Sequence, residues 1–113
     1  VIFVLEYHKL NRRVMSKFGE LIETNVPVLL DFYTEKDEAS EMMHPVLRDV
    51  AAALGDKARV INIDVEKNEE LAEALRVTCL PTLMIYKSGE MKWRKSGEQD
   101  ANTLIGLVKE YVG

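Results

Sequence analysis

An almost unbroken apolar run, Val28–Tyr33, constrains the fold more than any other segment of this chain. Only Asp31 interrupts the run, and a strand of this composition is normally buried on both of its faces. Such strands lie in sheets that helices cover on both sides. Apolar residues at helical spacing over Glu38–Leu54 and over Ala101–Val112 supply two of the covering helices. The sequence therefore predicts an α/β domain.

Strand-like and helix-like segments alternate along the rest of the chain. Further strands are predicted at Arg59–Val65, Thr82–Lys87 and Met91–Lys95, and Ser88-Gly89 is the turn of a hairpin between the last two. A short helix is predicted at Glu69–Leu75. The early β-α-β units imply parallel strands with right-handed crossovers, and the hairpin adds antiparallel strands. We therefore expect a mixed central sheet flanked by helices on both faces.

The beginning of the chain allows two interpretations. Val1–Tyr7 or Leu10–Val14 would form a first, edge strand; alternatively, residues 1–15 are an extension of a domain that occupies residues 16–113. In both interpretations Ser16 is expected to cap a short helix. The composition and spacing do not decide between them.

Charge and hydropathy restrict the partners and the location. The 113 residues carry 15 Lys and Arg against 19 Asp and Glu, a net charge of −4. Nucleic-acid and anionic-membrane binders usually show a basic excess, so neither partner is expected. The apolar runs, about five residues long, are far shorter than the roughly 20 residues of a membrane span. Lys9, Arg12 and Arg13 follow the first apolar run, whereas a secretory signal places its charges first. We expect a cytoplasmic monomer or weak dimer.

Several stretches of the chain resemble the thioredoxin family. The most specific is the Pro81-Thr82 pair in front of an apolar strand. The resemblance extends from Ser16 to the C-terminus and implies the thioredoxin fold. The matching stretches, in the family's order and spacing, are Pro27–Tyr33, Pro45 within the second helix, Asn62–Val65, Val77–Leu83 and Tyr86–Glu90.

The redox motif of that family is missing. Active members carry Trp-Cys-Gly-Pro-Cys at the start of the second helix, and here those positions hold Lys36, Asp37, Glu38, Ala39 and Ser40. Disulfide exchange needs an attacking thiolate and a second thiol that resolves the mixed disulfide. A carboxylate and a hydroxyl replace neither, so the dithiol reaction is excluded. Asp37 is instead expected to cap the helix, and no cofactor is expected.

The resemblance also assigns roles away from the motif. Asp31 corresponds to a carboxylate buried behind the cysteines, and its apolar neighbours predict a raised pKa. Pro81 corresponds to a cis proline that faces the active-site helix. The residue before such a proline can offer its backbone to an extended chain. Thr78, Cys79, Leu80 and Pro81 are therefore predicted to line a peptide groove, unless Pro81 only shapes the loop.

Three other chemistries stay open. Glu41 and His44 have the i, i+3 spacing of some carboxylate metal sites, although no further ligands are identifiable. Asp37, Ser40 and His44 would form a hydrolytic triad, but the sequence shows no nucleophile turn or oxyanion hole. Cys79, the single cysteine, would serve as a monothiol or as a dimer contact.

Two functions follow from these observations. The favoured hypothesis is a redox-inactive thioredoxin-like domain that binds an extended peptide or a protein partner beside Pro81. The alternative is a monothiol thiol-disulfide protein that acts through Cys79 in redox homeostasis.

Overall fold

The computed structural model describes the backbone of residues 2–113 and the side chains of residues 12–113. Helices and strands alternate along most of the chain. In chain order the elements are α1 (Ile2–Ile22), β1 (Val28–Tyr33), α2 (Glu38–Leu54), a 3-10 turn (Gly55–Lys57), β2 (Arg59–Asp64), α3 (Glu69–Ala74), β3 (Thr82–Lys87), β4 (Glu90–Ser96) and α4 (Ala101–Lys109).

The four strands form one mixed sheet in the order β2-β1-β3-β4. β1 runs parallel to β2 and antiparallel to β3, and β3 and β4 form the antiparallel hairpin. The register pairs Asp31 with Asn62 on one side and with Leu83 on the other. The predicted mixed sheet with flanking helices is confirmed.

Two apolar clusters cover the two faces of the sheet. Alternate side chains of β1 point to opposite faces, so Leu29 belongs to one cluster and Leu30 to the other. The first cluster joins the sheet to α2 and α4, and the second joins it to α1 and α3. Both residues are fully buried, as the apolar run of β1 predicts.

The prediction of a first strand at Val1–Tyr7 or at Leu10–Val14 is wrong over the described residues. Residues 2–22 form one helix, and Val1 lies outside the described part of the chain. Ser16 lies inside this helix and does not cap its start. The boundary expected between residues 15 and 16 also falls within it.

The reason for the helix lies in the spacing of its apolar side chains. Val14, Phe18 and Ile22 recur every four residues and pack against the second cluster. The Phe18 ring meets Tyr86 edge-on, with 5.3 Å between the ring centroids. Helical burial of this stripe therefore outweighs the strand preference of an apolar N-terminal run.

The remaining elements lie close to their predicted positions. β4 begins at Glu90 rather than at Met91, and α4 ends at Lys109 rather than at Val112. Helix ends depend on local caps and shift easily by one or two residues. None of the helices within residues 2–113 combines the length and the apolarity that crossing a bilayer requires.

Candidate functional site

The start of α2 is closed by a side-chain cap. Asp37 has extended backbone angles (φ −115°, ψ 124°), and its Oδ2 accepts a hydrogen bond from the Ser40 backbone N–H at 3.2 Å. The Ser40 hydroxyl donates to the same oxygen at 3.2 Å. Ser40 is fully buried. The predicted cap is confirmed, and the Ser40 hydroxyl is engaged with Asp37.

A second set of contacts fixes the loop before α2. Glu66, which follows β2, accepts a hydrogen bond from the Thr34 hydroxyl and forms an ion pair with Lys36 at 3.2 Å. The hydrogen bond from Thr34, followed by the interactions with Lys36, lowers the pKa of Glu66. Glu38 is exposed and Ala39 is half-buried beside this loop. The positions of the family's redox motif are therefore held by polar contacts and contain no thiol.

The carboxyl group of Asp31 is buried beneath this region. The residue is fully buried, and neither of its oxygens has a hydrogen-bond partner within the described residues. Loss of solvation raises its pKa to about 7, as the sequence predicted. Asp31 lies two residues after Leu29 on the face of β1 that α2 covers.

The segment in front of β3 is fixed from the hairpin side. The Leu80–Pro81 peptide bond is cis. The Gly97 N–H donates to the Pro81 carbonyl at 2.8 Å. The buried Thr82 hydroxyl donates to the Cys79 carbonyl and lies 2.9 Å from the Ser96 hydroxyl. Residues 79–82 therefore have a defined shape that β3 and β4 impose.

Residues 78–80 leave their backbone open. Thr78 and Cys79 are exposed, and Leu80 is half-buried against the second apolar cluster. Within the described chain, the N–H groups of all three residues lack a hydrogen-bond partner. The Cys79 thiol is free, and its one polar contact among the described side chains is the Thr78 hydroxyl at 4.0 Å.

Tyr33 joins these two parts of the site, and sequence reasoning missed it. The β1–β3 register ends where Phe32 pairs with Thr82; Tyr33 is the next residue of β1, and Pro81 directly precedes Thr82. The Tyr33 ring also meets the His44 ring of α2 edge-on, with 4.8 Å between the ring centroids. The available signal was its position two residues after Asp31, which puts it on the same face of β1.

The metal site and the hydrolytic triad considered from the sequence are only partly assembled. His44 Nε2 lies 3.8 Å from Glu41 Oε1, and no group of three potential metal-ligating side chains forms among the residues that the structure describes. The Ser40 hydroxyl is bonded to Asp37, so the order of contacts needed for a Ser-His-Asp triad is not formed.

Comparisons with known proteins agree with this geometry. Residues 9–110 match the family model described as Thioredoxin. The chain is 39% identical over 99 residues to Thioredoxin Y, chloroplastic, of Oryza sativa subsp. japonica; that alignment covers 87% of this chain but only 59% of the plant protein. It is 28% identical over 94 residues to Thioredoxin of Rickettsia prowazekii (strain Madrid E), covering 83% of this chain and 90% of the relative. The solved structure of a mutant thioredoxin from Halobacterium salinarum NRC-1 is 32% identical, with a TM-score of 0.76, and the match covers 87% of this chain and 85% of that one.

Proposed function

This chain belongs to the thioredoxin family, and we propose that it uses the family's fold to bind an extended peptide rather than to exchange disulfides. Its single cysteine, Cys79, lies outside the start of α2, where the family's paired thiols would stand. Asp37 and Ser40 occupy those positions and bond to each other. A carboxylate and a hydroxyl supply neither the attacking thiolate nor the resolving thiol that exchange requires.

The open backbone before Pro81 is the observation that carries the proposal. Strand addition needs N–H and C=O groups that no neighbouring strand has used. Leu80 has neither group bonded within the described chain, and Thr78 and Cys79 offer further N–H donors. An extended peptide laid along residues 78–80 forms backbone hydrogen bonds that do not depend on its sequence.

The two segments that would form the walls of this groove are each held by hydrogen bonds within the chain. The cap between Asp37 and Ser40 holds the start of α2, and the contacts of Thr82 with Cys79 and Ser96 hold the other side. Binding to a fixed surface loses less conformational entropy than binding to a mobile one. These hydrogen bonds do not involve a thiol, and they therefore support peptide recognition in a chain that lacks the family's cysteines.

The test is a binding screen with a defined readout. Immobilised protein is offered a pool of synthetic ten-residue peptides, and retained peptides are titrated into ¹⁵N-labelled protein. We expect the amide signals of residues 78–80 to shift most. As a control, the same peptides are methylated at alternate backbone nitrogens, which removes the N–H donors at those positions. Each hydrogen bond lost in this way should weaken binding roughly two- to tenfold. The proposal would be refuted if the retained peptides left these amide signals unshifted, or if the protein retained no peptide from the pool.

The exposed thiol of Cys79 favours a second candidate. In a monothiol reaction its thiolate attacks a protein disulfide, forms a mixed disulfide and expels the other sulfur as a thiolate. An external thiol such as glutathione then attacks the substrate sulfur of the mixed disulfide, expels the Cys79 thiolate and leaves the substrate as a mixed disulfide with glutathione. The cytoplasmic location and the monomeric or weakly dimeric state remain predictions alongside both functions.

A further inference from the structure

We propose that the peptide bound along residues 78–80 carries a lysine or arginine side chain that lies against Tyr33 and the acidic start of α2. This inference rests on the proposed peptide binding and specifies the charge of the partner. Glu38, in the first turn of α2, occupies one of the positions of the family's redox motif.

A continuous path leads from the open backbone to the acidic helix start. Pro81 follows the open segment and directly precedes Thr82, which pairs with Phe32, the neighbour of Tyr33 in β1. The Tyr33 ring contacts His44, and the imidazole of His44 lies 3.8 Å from the Glu41 carboxylate. A side chain that leaves a peptide near Leu80 and crosses Tyr33 therefore reaches the first turn of α2.

The carboxylates along this path have few cationic partners. Among the side chains of residues 12–113, Glu35 and Glu38 form no ion pair, and both are exposed. The nearest lysine in sequence, Lys36, is already paired with Glu66. Among the described side chains, the ion-pair partner of Glu41 is the imidazole of His44. The first turn of α2 therefore presents negative charge that the described part of the chain does not neutralise.

Asp31 provides an independent observation on the face of β1 that carries Tyr33. Its carboxyl group is fully buried, has no hydrogen-bond partner within the described residues, and points to the same side of β1 as Tyr33. Burial, followed by the charges of Asp64, Glu35, Asp31 and Glu41, raises the pKa of Tyr33. Four carboxylates therefore act on one aromatic ring, which is the environment that attracts a cation.

An aromatic ring and a nearby carboxylate together suit a basic side chain. A guanidinium or ammonium group is attracted to the face of a tyrosine ring and donates to a carboxylate at the same time. The α2 macrodipole opposes a cation here, but it amounts to only about half a charge. Glu35 and Glu41, the two glutamates whose charges act on Tyr33, outweigh it. A glutamate in the peptide would meet like charges instead.

The experiment varies the charge on each side of the interface. Each position of a peptide retained in the screen above is replaced in turn by Arg, Gln or Glu, and the dissociation constants are measured by calorimetry in about 50 mM and about 500 mM NaCl. At one position of the peptide, we expect the Arg-substituted peptide to bind about tenfold more tightly than the Glu-substituted peptide at low salt. The difference should shrink at high salt, because exposed charges are then screened.

Paired variants locate the effect on the protein. Glu38→Gln with Glu41→Gln should remove most of the preference for Arg. The matched control, Glu69→Gln with Glu70→Gln, changes the two exposed acids of the α3 first turn and should leave the preference unchanged. Circular dichroism confirms that each variant is folded.

Three results overturn the inference in distinguishable ways. If Arg and Glu peptides bind equally well and still shift the amides of residues 78–80, peptide binding stands and the charge preference is wrong. If no peptide shifts those amides, the proposed function fails together with the preference. If the control pair removes the preference as fully as the α2 pair, the acidic start of α2 is not its source.

Discussion

Asp37 and Ser40 are bonded to each other twice at the start of α2, because one carboxylate oxygen accepts from both the backbone N–H and the hydroxyl of Ser40 at 3.2 Å. These residues stand where the thioredoxin family carries its two cysteines. A position that serves exchange chemistry in the family serves helix capping here. The stability of α2 therefore depends on a contact that can be removed without touching the sheet.

Replacing Asp37 should destabilise the fold through this cap. Asp37→Ala removes the acceptor of the Ser40 N–H and hydroxyl, and we expect the free energy of unfolding to fall by about 1 kcal/mol. Asp37→Asn keeps a side-chain oxygen and should cost less. Urea unfolding measures both. Equal losses for the two variants would show that the charge, and not the cap, is what stabilises α2.

Burial of Asp31 should make stability depend on pH. Its pKa is raised from 3.8 to about 7 in the fold, so between these values the folded chain holds a proton that the unfolded chain has released. The free energy of unfolding should therefore fall as the pH rises from about 4 to about 7. The full loss, up to about 4 kcal/mol, should be present above pH 7.

Asp31→Asn tests this dependence because the amide has nearly the same size and no charge. At pH 8 the variant should be more stable than the wild type, and at pH 4 the two should differ little. Asp49→Asn, an exposed aspartate of α2, is the matched control and should leave the pH profile unchanged. A wild-type profile that is flat between pH 4 and pH 8 would contradict the expectation.

The prediction from sequence succeeded where local rules decide the structure. The apolar run of β1 and the Asp37 cap depend on neighbours in the chain, and both were identified. The start of the first helix was mispredicted because the apolar residues at the beginning of the chain also suit a strand. Tyr33 was missed because its contact with His44 forms only after α2 packs on the sheet.

Removing the Thr82 hydroxyl should loosen the segment before Pro81. Thr82→Val keeps the shape of the side chain but loses its contacts with the Cys79 carbonyl and the Ser96 hydroxyl. We expect the free energy of unfolding to fall by about 1–3 kcal/mol, since two hydrogen bonds of roughly 0.5–1.5 kcal/mol each are lost. Ser96→Ala removes only one of the two contacts and should cost less. An unchanged stability for Thr82→Val would show that other contacts fix this segment.

Thiol chemistry at Cys79 is decided by turnover of a model protein disulfide in the presence of excess dithiol donor. With one thiol and no partner cysteine in the chain, we expect the wild type and Cys79→Ser to leave the rate at the buffer value. Intact circular dichroism of Cys79→Ser serves as the folding control. Acceleration by the wild type that Cys79→Ser abolishes would make Cys79 a nucleophile and contradict the redox-inactive function.

Because Cys79 lies within the open segment 78–80, a peptide that binds there should also protect the Cys79 thiol from alkylation. Protection without turnover would support peptide binding alone.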